Sequence, residues 1–118
     1  MTVETLRRLL AASGALLASA GVALSAYAAH ASDVAARSSL QSAALLALLH
    51  GVALAALSRQ AVRRTGLCAL LMLAVGTLLF SGTLAAAHFL GMPTRLAPFG
   101  GSLLILGWLV FAIDAIRR

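Results

Sequence analysis

Residues 59–90 read RQAVRRTGLCALLMLAVGTLLFSGTLAAAHFL. Arg59, Arg63 and Arg64 stand ahead of a stretch, Gly66 to Leu90, that contains no Lys, Arg, Asp or Glu. At 1.5 Å per residue a helix of that length reaches roughly 37 Å, more than the roughly 30 Å hydrocarbon core of a bilayer. Three further stretches of the chain have the same form. Arg7 and Arg8 precede an apolar run over about 9–29, a second run over about 40–57 leads into the arginine loop, and a last one over about 97–116 ends in Arg117 and Arg118. The fold expected is therefore all-α: an integral membrane four-helix bundle of two outward-returning hairpins, forming one transmembrane domain over residues 1–118.

Composition supports lipid rather than water as the solvent. The chain has 118 residues, is 62% hydrophobic and 10% charged, and has a mean hydropathy of +1.02. Soluble domains carry roughly 25% charged residues, so this chain has too few charges to cover itself with a water-compatible surface. Four spans of about 20 residues with short loops account for nearly all of it. The net charge of +6 comes entirely from arginine on the basic side, which by itself suits nucleic acid or an anionic surface. Its placement argues for topology instead. Arginine in short loops marks the cytoplasmic side, so both termini and the middle loop read as inside, in the cytoplasmic (inner) membrane, and the loops holding Arg37 and Arg95 as outside. The partner implied is the lipid bilayer, with no nucleic acid. Cys68 is the one cysteine, so no intrachain disulfide forms.

The first run has a rival reading. Arg7 and Arg8, an apolar stretch and Ala29-His30-Ala31 imitate a secretory signal, but the run exceeds the usual 7–15 residues of a signal core and reads as a span. Ser38 and Gln41 have the spacing of a capping box that would open the second helix, and Thr65 that of a cap for the third. Gly91-Met92-Pro93 breaks the chain, and Pro98 suits the first turn of the last helix, where its missing N–H costs nothing.

Within the spans small residues recur at helical spacing: Gly14, Ala18, Gly21, Ser25 and Ala28, then Ala43, Ala47, Gly51 and Ala55. Helices in lipid associate by close backbone approach, so these stripes, with Gly82, Gly100 and Gly101 in the later spans, are the expected seams. Abundant alanine produces such stripes too. Tyr27, Phe89 and Phe99 near the outer ends, and Trp108 and Phe111 toward the inner end, read as interfacial anchors or packing. Ala28-Ala29-His30 and Ala86-Ala87-His88 close the first and third spans alike, a faint echo of two related hairpins.

None of the serine-hydrolase, zinc-protease, P-loop, CxxC or dinucleotide signatures is present. The candidate polar site therefore rests on His50, His30, His88, Ser81 and Thr77. His50 lies about ten residues into its span, roughly 15 Å deep and close to the midplane, on the side of Ala47 and Gly51. It is either a proton-relay or ligand-binding group, or a neutral histidine bonded to a neighbouring carbonyl or hydroxyl. His88 shares a face with Thr77, Ser81 and Ala85, a weakly polar stripe expected to turn inward. His30 stands near the same outer depth, and with Asp33 the two histidines suggest a metal or proton site at the outer mouth. Two histidines fall short of the three or four ligands normal for zinc, and His50 sits too deep to share a haem with either, so no metal and no cofactor is expected. Asp114 and Arg118 are spaced as an exposed i, i+4 pair at the inner edge.

Four blocks carry a resemblance. They are Gly21-Val22-Ala23-Leu24-Ser25-Ala26-Tyr27-Ala28-Ala29-His30, His50-Gly51-Val52-Ala53-Leu54, Phe80-Ser81-Gly82-Thr83-Leu84, and Ala97-Pro98-Phe99-Gly100-Gly101 with Gly107-Trp108. In this order they resemble the domain-of-unknown-function 423 family of small bacterial inner-membrane proteins, the YgdD-like group that takes in transmembrane-protein-256-like proteins. The resemblance implies four transmembrane helices and no established activity. Ala31 stands where that family usually has glycine, and His88 where a bulky residue is expected, which weakens a family-wide role for His88.

The function expected from these residues is non-enzymatic: an oligomer, or an accessory subunit of a larger membrane complex. The alternative is a small transporter or proton-linked channel built on His50 and the stripe of Thr77, Ser81 and His88. A weaker alternative is a metal- or haem-binding redox helper.

Overall fold

The structure, a computed structural model, describes residues 1–31 and 33–117. Four α-helices make up the fold: α1 (Val3–Ala29), α2 (Val34–Leu57), α3 (Arg64–Leu90) and α4 (Ala97–Arg117), with a 3₁₀ turn, Ser58–Gln60, extending α2. All four are long and apolar enough to cross a membrane. The all-α architecture expected from the arginine-bounded runs is the one observed.

Three helix starts lie upstream of where composition puts them, the first two because an upstream side chain caps. α1 begins at Val3 rather than near Leu9, because the Thr2 hydroxyl accepts from the Thr5 N–H at 3.1 Å. Glu4 adds a negative charge to that first turn, where the helix dipole favours it. α2 begins at Val34, not at 40. The Asp33 carboxylate accepts from the Ala36 N–H at 3.0 Å, which places Ser38 and Gln41 inside a helix already under way and leaves no capping box there. α3 starts at Arg64 after Arg63, so Thr65 sits within the first turn and does not cap. The other boundaries fall as the breakers dictate. Gly91 ends α3 with φ +67, a left-handed cap suited to glycine, and Pro98 lies in the first turn of α4.

Adjacent helices run antiparallel in two tight hairpins. In the first, a Cβ placed on Gly14 would lie 2.5 Å from the Gly51 carbonyl oxygen, and one on Gly51 would lie 2.5 Å from the Ala18 nitrogen. Only hydrogen side chains permit that approach, and the backbones pack where leucines would hold them apart. Gly21 sits likewise against Ala44 and Leu48. In the second hairpin a Cβ on Gly100 would meet the Phe80 nitrogen at 2.5 Å, and Gly76 and Gly107 pack against Leu104 and Leu73. The last two glycines were not among the expected seams. Three expected seam residues lie elsewhere: Ser25 is exposed, a Cβ on Gly82 would meet nothing within 4 Å, and one on Gly101 would only brush Phe80 at 3.9 Å. Gly82 falls on an exposed face of α3, a rotation that residue size alone does not reveal. Ser25 shares the face of Gly14 and Gly21 but is exposed, and Gly101 keeps a loose contact with Phe80.

The hairpins join through α2 and α3, while α1 and α4 do not pack along one another. A core of Leu10, Leu54, Leu67, Leu70, Leu73 and Leu104 lies toward the end where the N-terminus, the 3₁₀ turn and Arg117 gather. Arg7, Arg8, Arg59, Arg63, Arg64 and Arg117 therefore mark one end of the bundle, with Asp33, Arg37 and Arg95 at the other. Asp114 is 1% exposed and lies over Gly66, not in an exposed edge pair; Arg118, its expected partner, lies outside the described residues.

Candidate functional site

The five candidate polar residues separate into two groups. His50, Thr77 and Ser81 are buried in the middle of the bundle, whereas His30 and His88 are exposed at the Asp33 end.

His50 is 7% exposed, and both of its ring nitrogens have partners. Nδ1 lies 2.8 Å from the Leu46 carbonyl oxygen, and the Trp108 indole N–H donates to Nε2 at 3.0 Å. A carbonyl only accepts and an indole N–H only donates, so Nδ1 carries the proton and the ring is neutral in this arrangement. An imidazolium has two donors and no acceptor, and would have to release Trp108. The Trp108 ring, centred 5.9 Å from that of His50, is thus a bonding partner near mid-span rather than an interfacial anchor. The sequence held a signal for this pairing. His50 lies 8 residues before Ser58 and Trp108 lies 9 before Arg117, so counting back from the arginine-marked ends puts them at one depth.

Thr77 and Ser81 face inward as expected and are spent on backbone. Thr77 donates to the Leu73 carbonyl of its own helix at 2.7 Å, and Ser81 donates across to the Ala43 carbonyl of α2 at 2.7 Å. The Ser81 bond joins the two hairpins. His88 continues the stripe in sequence but leaves the packed interior, because α3 extends beyond the close contact of the hairpins.

At the Asp33 end, Tyr27, His30, Ala31, Asp33, Ala36 and His88 line one cavity of about 340 Å³. The Tyr27 hydroxyl is 3.3 Å from His88 Nε2, and the Tyr27 ring packs at 5.1 Å from Phe89. Arg37 folds back on this loop, donating to the Ala31 carbonyl from Nε at 3.1 Å and from a terminal nitrogen at 2.7 Å. The expected meeting of His30, His88 and Asp33 is therefore observed. Tyr27, read from sequence as an anchor, joins them. Its place was signalled by the Ala-Ala-His echo, which sets both span ends at one level with Tyr27 one residue before. Among the described residues no three His, Cys, Asp or Glu side chains come together as a metal site.

The comparison with known families falls on the segment that holds these groups. A family model described as a protein of unknown function (DUF423) matches residues 24–101, from the second half of α1 to the first turns of α4. The chain belongs to the DUF423 family. The matched segment includes all three histidines, Thr77 and Ser81, while Trp108 and the arginine pair of α1 lie beyond it. No curated protein and no solved structure matches the chain. DUF423 membership and four membrane-capable helices agree in describing a membrane protein and assign it no role.

Proposed function

We propose that this DUF423 protein is a non-enzymatic component of the cytoplasmic (inner) membrane, with both termini cytoplasmic, that works by assembling with further copies of itself or within a larger membrane complex. The observation that carries the reading is on α1. This helix presents small residues on two opposite faces, and the chain uses only one of them. Gly14, Gly21 and Ala28 are buried against the rest of the bundle, while Ala12, Ser19, Ala23 and Ala26 point the other way and are exposed. Only 17% of the apolar stretch of α1 is buried, against 44% of that of α3. Ser19 lies near the middle of α1, and among the described residues nothing hydrogen-bonds its hydroxyl. A second helix laid on this face would shield that hydroxyl from hydrocarbon and pack as closely as α2 does.

The gathering of six described arginines at one end supports this orientation, since arginine in short loops is retained in the cytoplasm. The hydrogen bonds of His50 support a structural role for it within this reading.

Cysteine cross-linking tests the assembly. In a Cys68→Ser background, Ser19→Cys and Ala23→Cys should form intermolecular cross-links on oxidation in native membranes, and Ile105→Cys, on the exposed face of α4, should not. Cross-linking that is equal at all three positions, or absent from the α1 positions, would refute self-assembly through this face.

A further inference from the structure

The arginine-marked end carries a larger cavity, of about 600 Å³, lined by Glu4, Arg7, Arg8, Ala11 and Arg59. Three guanidinium groups against one carboxylate leave the lining at 3 − 1 = +2. Two of the arginines come from the second turn of α1, and Arg59 comes from the 3₁₀ turn after α2, so the cavity exists only because the first hairpin is closed.

Arg7 is the anchored member of this rim, while Arg8 and Arg59 are exposed. Arg7 Nε donates to the Ala61 carbonyl at 2.8 Å, which fixes its guanidinium at the joint, and one of its terminal nitrogens faces Glu4 while the other stays open. Glu4 lies 3.7 Å from Arg7 and 3.5 Å from Arg8, longer than the roughly 2.7–2.9 Å of a charge-assisted bond. It orients the two arginines without saturating them. The last lining residue, Ala11, lies deeper along α1, so the basic rim passes directly into the apolar surface of the span.

A cationic rim above an apolar floor, at the level where the spans begin, has the polarity of one class of molecule. We propose that this cavity binds the phosphate headgroup of an anionic phospholipid, with Arg7, Arg8 and Arg59 on the phosphate oxygens and the acyl chains lying along α1 below Ala11. Guanidinium forks match phosphate geometry, and basic pockets between spans are suited to acidic headgroups. A soluble phosphate compound would use the rim and leave the floor idle. Arg63 and Arg64 are exposed at the same end but do not line the cavity, and this separates a built site from the general attraction of an arginine-rich end for acidic lipid. The site does not depend on whether the chain assembles.

The test is native mass spectrometry of the full chain in detergent, titrated with phosphatidylglycerol or phosphatidylcholine. One phosphatidylglycerol should bind in preference to phosphatidylcholine. Arg59→Gln and Arg8→Gln should each weaken it about fivefold, the effect of roughly 1 kcal/mol per arginine, while Arg63→Gln changes it less than about twofold. Arg59→Lys, which keeps the charge and loses the fork, should fall between wild type and Arg59→Gln; it guards against a glutamine variant that misfolds. Millimolar inorganic phosphate should leave the bound lipid in place. Equal loss in Arg63→Gln, equal binding of phosphatidylcholine, or displacement by phosphate would each overturn the proposal.

Discussion

Between His50 and Trp108 the chain makes its clearest use of individual atoms. The pair spans α2 and α4 near mid-depth, where an interhelical polar bond contributes on average about 0.6 kcal/mol and at most about 1.7. A double-mutant cycle of His50→Leu and Trp108→Phe, followed by unfolding in mixed micelles with rising sodium dodecyl sulfate, should give a coupling of about 0.5–1.5 kcal/mol. A coupling of zero would show that the two rings only touch. Trp108 is the sole tryptophan, so its emission reports on this bond alone, and His50→Leu should shift it to shorter wavelength. Sequence exposed half of this pair. A histidine in mid-span demands a partner, and that demand was legible. The partner was legible only as to depth, because an aromatic residue fits an interfacial or a bonding role equally well until the tilt of its helix is known.

The glycine seams belong to the scale of the helix pair. A side chain at position 51 would strike backbone, which cannot rotate away, whereas one at position 82 would enter open space. Gly51→Leu should therefore cost roughly 3 kcal/mol and lower the thermal midpoint in mild detergent, and Gly82→Leu should leave it within a degree or two. Equal losses at both sites would mean that the hairpin is not built on close approach. The existence of the helices and the arginine-bounded span ends were readable from composition, because desolvating a charge is costly enough to fix where a helix leaves the membrane. Helix starts in the loops were less readable. Asp33 and Ser38 both qualify as caps by residue type, and Asp33 prevails because it lies upstream in a segment able to remain helical. Gly82 shows the same limit for packing, since small size permits contact without specifying the direction from which it comes.

For the molecule as a whole, the gathering of arginines predicts orientation. Reporter fusions after Arg64 and at the C-terminus should read cytoplasmic, and fusions near Asp33 and Arg95 should read external. The reverse pattern would turn the bundle over, and a mixed pattern would break the hairpin scheme. The asymmetry between the tight hairpins and their lighter joint has one more consequence, for how the chain is made. Arg7 closes onto Ala61, and every other contact of the α1–α2 seam also falls before the third helix begins. By the time Val62 leaves the ribosome, all the parts of the first hairpin have been synthesised. The earlier half can settle in the bilayer as a finished piece, and the later half then needs only to dock beside it.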